Sequence, residues 1–266
     1  MGAGATALAI DEDLHDALAV AGWAPTLERV AASDPRAGEV TRIFDLVRAQ
    51  AAAVGAAVGR GAFPLVLAGG CVSAVGTVAG CGARGTVWLD AHADLDTPED
   101  NLSGSIDVMA LSVVIGRAWQ AAAATVPGHV PLAPKDVVLL YARDLADYQR
   151  DGLAASGVRT DAAALATLPD RTYLHVDLDA LDTSVGHANR YAAPHGPSLE
   201  DVLTIVDATF AQTTVVAAAL TAYEPRYDRA NAIRAAALAI ATRIARHALT
   251  QRGTAPARAP AAPRPQ

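Results

Sequence analysis

Two aspartate-rich stretches, each set directly behind a short apolar run, constrain this chain more than any other feature. In the first, Thr86-Val87-Trp88-Leu89 leads into Asp90-Ala91-His92-Ala93-Asp94. In the second, Leu174, Val176 and Leu178 alternate with His175, Asp177 and Asp179, and Asp182 follows. Alternate side chains of an extended backbone share a face, so the spacing predicts that Asp90, His92 and Asp94 converge at the end of one strand. By the same rule Asp177 and Asp179 converge at the end of another. A single stretch of this kind reads equally well as a surface turn. Two of them gather four aspartates that would be costly to desolvate unpaired, whereas two divalent cations would balance their charge. Carboxylates with an imidazole suit ions such as Mn2+ or Zn2+, and the expectation is a dinuclear metal centre.

These residues resemble the signatures of the arginase and agmatinase family, the ureohydrolases. The family's D-A-H-x-D stands here as Asp90-Ala91-His92-Ala93-Asp94, and its D-x-D-x-x-D as Asp177-Leu178-Asp179-Ala180-Leu181-Asp182. The arginase continuation N-T-P, then S-G-N-x-H, keeps its spacing as Asp96-Thr97-Pro98, then Ser103-Gly104-Ser105-Ile106-Asp107. The resemblance spans roughly residues 65 to 245. Arg143-Asp144 also matches a family R-D pair, while Ala146 stands where arginases place an Asp that helps hold the substrate amino group.

The departures are as informative. Where the family carries G-G-D-H-S the chain has Gly69-Gly70-Cys71-Val72-Ser73, so a histidine ligand of one metal is missing and a thiol sits one residue earlier. Cys71 reads either as a replacement ligand or as a small buried hydrophobe. Asp107 occupies the position of a family histidine proposed to shuttle protons. Ala222 falls where the guanidinium-binding Glu belongs, with Glu224 two residues later and on the same face if the strand continues. The loop after Asp182 is not preserved, and its His187 and His195 are expected to be solvated.

The resemblance implies a three-layer α/β/α fold with a mainly parallel sheet and two Mn2+ per chain. It implies Asp90 and Asp177 as bridging ligands, Asp94 with Cys71 completing one ion and His92 with Asp179 the other. Glu224 and Asp107 are the catalytic candidates, and Asp96, Ser103, Ser105 and Asp144 the substrate-binding ones. The implied chemistry is hydrolysis of a guanidino-type C–N bond in a small molecule. An arginine guanidinium, with pKa above about 12, arrives fully charged, and Asp107 is no equal of a histidine as its proton shuttle unless its own pKa is strongly raised. An N-hydroxyguanidine is less basic. The chain is therefore most similar to the family's N(omega)-hydroxy-L-arginine-cleaving branch of antibiotic biosynthesis, which yields L-ornithine and hydroxyurea. Arginase, agmatinase or guanidinobutyrase activity, and a metal-binding protein without activity, stay open. The family also implies a homo-oligomer.

Composition bounds the rest. With 266 residues, 52% hydrophobic, the chain can bury one sizeable core, and one catalytic domain over residues 1–250 is expected. A net charge of −7 with no Lys/Arg-rich run argues against nucleic acid. Two cysteines make a disulfide framework unexpected, and no segment approaches the roughly 20 apolar residues of a membrane span. The first ten residues lack a charged signal-peptide flank, Gly2 with Thr6 fits only a loose myristoylation pattern, and the segment reads as frayed. The expectation is a cytoplasmic protein. Helical patterning is expected from Asp11 to Val58, on Leu14, Leu18 and Val20 and then on Val40 to Val47, with a break at Asp34-Pro35. A helix is expected from Met109 through Trp119 and Ala124, and strands over Phe63–Leu67, Val137–Tyr141 and Val215–Leu220. The Pro/Ala/Arg-rich residues 251–266 read as a disordered tail.

Overall fold

The computed structural model of the chain describes residues 8, 12–32, 34 and 36–254. The strands are β1 (Leu65–Leu67), β2 (Gly85–Leu89), β3 (Val137–Leu140), β4 (Thr172–Asp177) and β5 (Val215–Thr221). They form one parallel sheet in the order β1-β5-β4-β2-β3. Every residue of β2, β3 and β4 is buried. Such near-continuous apolar runs belong to a sheet covered on both faces.

The pleat divides the side chains between two cores. Val87, Leu89, Val138, Leu140, Leu174, Val176, Ala218 and Leu220 enter one. Trp88, Val137, Leu139, Tyr173, Ala217 and Ala219 enter the other. Helices α1 (Glu12–Val20), α7 (Leu199–Gln212) and α8 (Ala232–Thr254) cover the first face, and α2 (Glu39–Gly59), α3 (Ser73–Cys81) and α4 (Ala110–Val114) the second. The result is the expected three-layer α/β/α arrangement. Helices α2 and α3 approach so closely that a Cβ at Gly76 would lie 2.6 Å from the Val47 carbonyl oxygen and one at Gly80 2.5 Å from that of Ala51. Glycine is required at both places.

Several local expectations give way. The helix expected over Met109 to Ala124 breaks into α4 and α5 (Gln120–Ala123), because Gly116 and Trp119 adopt φ of 75° and 51°. Val20 is 83% exposed and does not join Leu14 and Leu18 in the core. Strand β1 begins at Leu65 rather than Phe63, and β3 ends at Leu140 because Tyr141 turns to φ 77°. Before β4 lies helix α6 (Asp147–Ser156). Helix α8 runs to Thr254, past residue 250. Residues 255–266, Pro35 and most of the first ten residues lie outside the described residues, and with them the expectations of a tail, of part of the break and of a frayed start. Among the described residues no helix is long and apolar enough to cross a membrane.

Candidate metal centre

All five strands are parallel, so their carboxyl ends share one edge of the sheet, where open α/β sheets place their sites. Strand β2 ends at Leu89, and Asp90 is the first residue beyond it, 1% exposed. Asp90 Oδ2 accepts a 3.0 Å hydrogen bond from Trp88 Nε1, and Oδ1 accepts the His92 backbone N–H at 2.7 Å. The His92 Nδ1 lies 3.2 Å from the same Oδ1. The chain is already bent here, and Asp94 has φ 52°. Thus Asp90 and His92 converge through a turn beyond the strand rather than through the pleat that their spacing suggested, and Asp94, though near Cys71 and Asp90, joins neither of the two sets of potential ligands that form here. A non-glycine residue in the left-handed region carries strain that the surroundings must hold.

Strand β4 ends on Asp177 itself, and the following 3-10 turn brings Asp179 back, its N–H donating to Asp177 Oδ1 at 2.8 Å. Asp179 Oδ2 stands 3.6 Å from His92 Nδ1 and accepts from Asn189 Nδ2 at 3.0 Å. Strand β1 and the turn after it deliver Cys71, 5% exposed, whose thiol donates to Asp177 Oδ2 at 2.8 Å. Two sets of potential ligands result: Cys71, Asp90, His175 and Asp177, and Asp90, His92 and Asp179, each with donor atoms within 4.8 Å of one another. Asp90 belongs to both.

His175 was given no role by sequence reasoning. Its position was legible, since it shares a strand face with Tyr173 and Asp177. It is fully buried, stacked on Trp88 with ring centroids 3.7 Å apart, and Tyr173 Oη lies 2.8 Å from its Nδ1. Its Nε2 lies 3.3 Å from Thr221 Oγ1, which in turn stands 3.5 Å from Cys71 Sγ and donates to Asp177 Oδ2 at 3.3 Å. Burial pushes the His175 pKa down to about 3, so the ring is neutral. Thr221, on the neighbouring strand, and Asn189, inside an unpatterned loop, offered no sequence signal.

The charge balance tests whether ions fit. Asp90, Asp94, Asp177 and Asp179 are all buried. Burial, then the neighbouring carboxylates, push the Asp94 and Asp177 pKa well up and that of Asp179 to about 6. The Cys71 thiol is likewise pushed well up by burial and by Asp177, Asp94 and Asp90. Burial alone would lower the His92 pKa, but the Asp90 hydrogen bond and the charges of Asp179, Asp90 and Asp144 raise it to about 9. Asp94 Oδ2 is buried without a hydrogen-bond partner. A buried carboxylate oxygen left unpaired in a nest of like charges is the signature of a site completed by cations, and the residues present fit two divalent ions.

The substrate-side candidates are arranged differently. Asp96 is buried, and both its oxygens accept bonds, from Tyr148 Oη at 3.1 Å and Gln149 Nε2 at 2.9 Å. Ser103 is exposed and its hydroxyl donates to Asn101. Ser105 Oγ accepts the Asp107 N–H at 3.3 Å. Asp107 Oδ1 accepts the Val72 N–H at 2.9 Å, and burial raises the Asp107 pKa. Asp144 is exposed at the rim, 3.8 Å from His92 Nε2. Strand β5 ends at Thr221 and Ala222 turns to φ 62°, so the alternation meant to carry Glu224 inward stops short. Glu224 instead pairs with Arg226, at 2.8 Å from its Nε. His187 and His195 join neither ligand set.

Residues 13–248 match the sequence pattern of the arginase family. The chain is 32% identical to an arginase of Bacillus caldovelox over 57% of this chain and 58% of that one. It is 33% identical to an arginase of Bacillus subtilis over 45% of this chain and 47% of that one. The aligned region thus spans about half the length of these curated relatives. The fold superposes on the crystal structure of an arginase from Bacillus cereus with a TM-score of 0.80 at 22% identity, over 91% of each chain. With the two aspartate-rich signatures brought together at one sheet edge, and a family match over nearly the whole described chain, the protein belongs to the arginase family.

Proposed function

We propose that the chain is a dinuclear manganese hydrolase of guanidino-type C–N bonds whose preferred substrate is N(omega)-hydroxy-L-arginine. Water adds to the guanidino carbon, the bond from that carbon to the side-chain nitrogen breaks, and that nitrogen leaves as the amine of L-ornithine. The carbon departs as hydroxyurea, which keeps the water oxygen as its carbonyl. The observation that carries the hydrolytic reading is the pair of ligand sets sharing Asp90. Two divalent cations, when bound there, bring a water's pKa toward neutrality and supply the nucleophile.

The chain's own residues set the rest. Asp90, Asp177, Asp94 and Cys71 would hold one ion, and Asp90, Asp177, His92 and Asp179 the other. His92 is kept in place by Asp90 and Asp179. Tyr191 stands edge-on to the His92 ring at 6.3 Å between centroids. Glu224 would exchange Arg226 for the cationic or hydrogen-bonding head group of the substrate. Asp96 has both oxygens engaged, which leaves Ser103, Ser105 and Asp144 to meet the amino-acid end.

The preference for the hydroxylated substrate is supported by Asp107 and Cys71, each standing where the family carries a histidine or its neighbour. L-arginine is the second reading, favoured by the names of the two Bacillus relatives. Side-by-side kinetics with Mn2+ saturation decide between them. N(omega)-hydroxy-L-arginine should show the higher kcat/KM, and a better rate on L-arginine or agmatine would overturn the proposal.

A further inference from the structure

Two of the departures from the family pattern, Cys71 and Asp107, lie in stretches far apart in sequence, and they meet in space. Cys71 sits in the turn Gly70-Cys71-Val72 that joins β1 to α3, and Asp107 opens the short turn before α4. Asp107 Oδ1 accepts the Val72 N–H at 2.9 Å, the amide next to Cys71. A Cβ added at Gly70 would lie 2.1 Å from Asp107 Oδ2 and 2.6 Å from its Cγ, so the carboxylate lies flat against the glycine.

We propose that Asp107 is the positioning residue of Cys71: it grips the backbone of the turn and so aims the thiol at Asp177 and Asp90. This rests on the reading of the site as a metal centre, and it gives Asp107 a different task from proton shuttling. Val72, at the N-cap position of α3, has no side chain able to cap the helix. The N–H groups of Ser73, Ala74 and Val75 donate to the Gly70, Cys71 and Val72 carbonyls, which leaves the N–H of Val72 itself in need of an acceptor, and Asp107 supplies it from another loop. A histidine here would have to fit its ring over Gly70, against which the smaller carboxylate already packs, to reach the same amide. The thiol itself is held from the other side by Asp177 at 2.8 Å and Thr221 at 3.5 Å. The turn beside Cys71 and the thiol itself are thus held independently.

The test compares Asp107→Asn, Asp107→Ala and Asp107→His in two forms of the protein. In the Co2+-loaded protein the near-ultraviolet sulfur-to-metal charge-transfer band and the affinity of each site are recorded. In the metal-free protein the alkylation rate of Cys71 is followed by peptide mapping, which separates it from Cys81. Asp107→Ala and Asp107→His should weaken the Cys71 site by about 10- to 100-fold, as loss of a supporting residue does, diminish the band and speed alkylation. Asp107→Asn keeps an acceptor oxygen and should rescue all three readouts. Gly70→Ala, which displaces the carboxylate from the other side, should reproduce the alanine phenotype and add little to it in the double variant. An Asn variant as impaired as the Ala variant, or an Ala variant with unchanged band and alkylation, overturns the proposal. A parent protein without the band overturns the metal reading instead, and the alkylation series still decides the clamp.

Discussion

The candidate metal-binding half of the site and its candidate substrate-facing half are built on opposite principles. Asp90, Asp177, Asp179 and Cys71 leave the ends of three strands within a few residues, are buried, and bond to one another across the sheet edge. Ser103, Asp144 and Glu224 lie on the loops around that edge, Ser103 and Glu224 bonded to neighbours on their own loops and Asp144 at the exposed rim. A strand end fixes a donor because the sheet fixes the strand. A loop residue is fixed only by the partners it finds, so substrate recognition is the half of this molecule free to diverge while the metal half keeps its form.

The comparison is broken most directly at Asp90 or Asp177. Asp90 is shared by both ligand sets, so Asp90→Ala should lose both ions and abolish activity. Asp177→Ala removes the partner of Cys71 in one set and the acceptor that holds the Asp179 N–H beside the other, and should do the same. Metal analysis showing two ions with undiminished turnover in either variant would sink the dinuclear reading. Next in size is Cys71→Ala. One site should lose more than the about 10- to 100-fold in affinity that a supporting residue contributes, and the other should lose much less. Equal affinity at two sites in this variant returns Cys71 to the status of a buried hydrophobe.

A smaller effect separates the halves by pH in the metal-free protein. The folded pKa of Asp179 is raised to about 6 from 3.8, and that of His92 to about 9 from 6.5. A raised folded pKa means stability that is present below the unfolded value and lost as pH rises through the folded one. Both groups act in the same sense, and the melting temperature of the metal-free protein should fall as pH rises from about 4 to about 9. Mn2+ binds the deprotonated ligands, so at fixed excess metal the fall should be cancelled or reversed. Parallel thermal scans with chelator and with Mn2+ check it, and a flat metal-free curve counts against the buried carboxylate cluster.

The smallest effect belongs to the loops. Arg226→Ala frees Glu224 from an exposed pair worth about 0.2–1 kcal/mol, so kcat/KM should rise by no more than about fivefold with metal affinity unchanged. A change in metal affinity here would show that the two halves are coupled.

Much of the metal half was legible because each aspartate sits directly behind a run such as Val87-Trp88-Leu89 or Leu174-His175-Val176, whose apolar pattern already marks a buried parallel strand. The reason given for convergence was only partly right. Asp94 reaches the site through a bend at φ 52° and Asp179 through a 3-10 turn, and period-two spacing describes neither backbone. Glu224 illustrates the opposite outcome, since the turn at Ala222 ends the strand whose alternation was to carry it inward.

By itself the sequence determined the fold class, the order of the strands and helices along the chain and the aspartates that gather at one sheet edge. These follow from local apolar periodicity and from the chemistry of side chains a few positions apart. Only the tertiary structure decided that His175 and Thr221 stand behind Cys71, that Tyr148 and Gln149 occupy Asp96, and that Asp107 closes on the Cys71 turn. Those contacts join residues dozens of positions apart, set by which strands lie side by side and by how closely a glycine lets one loop approach another, and neither leaves a trace in local pattern.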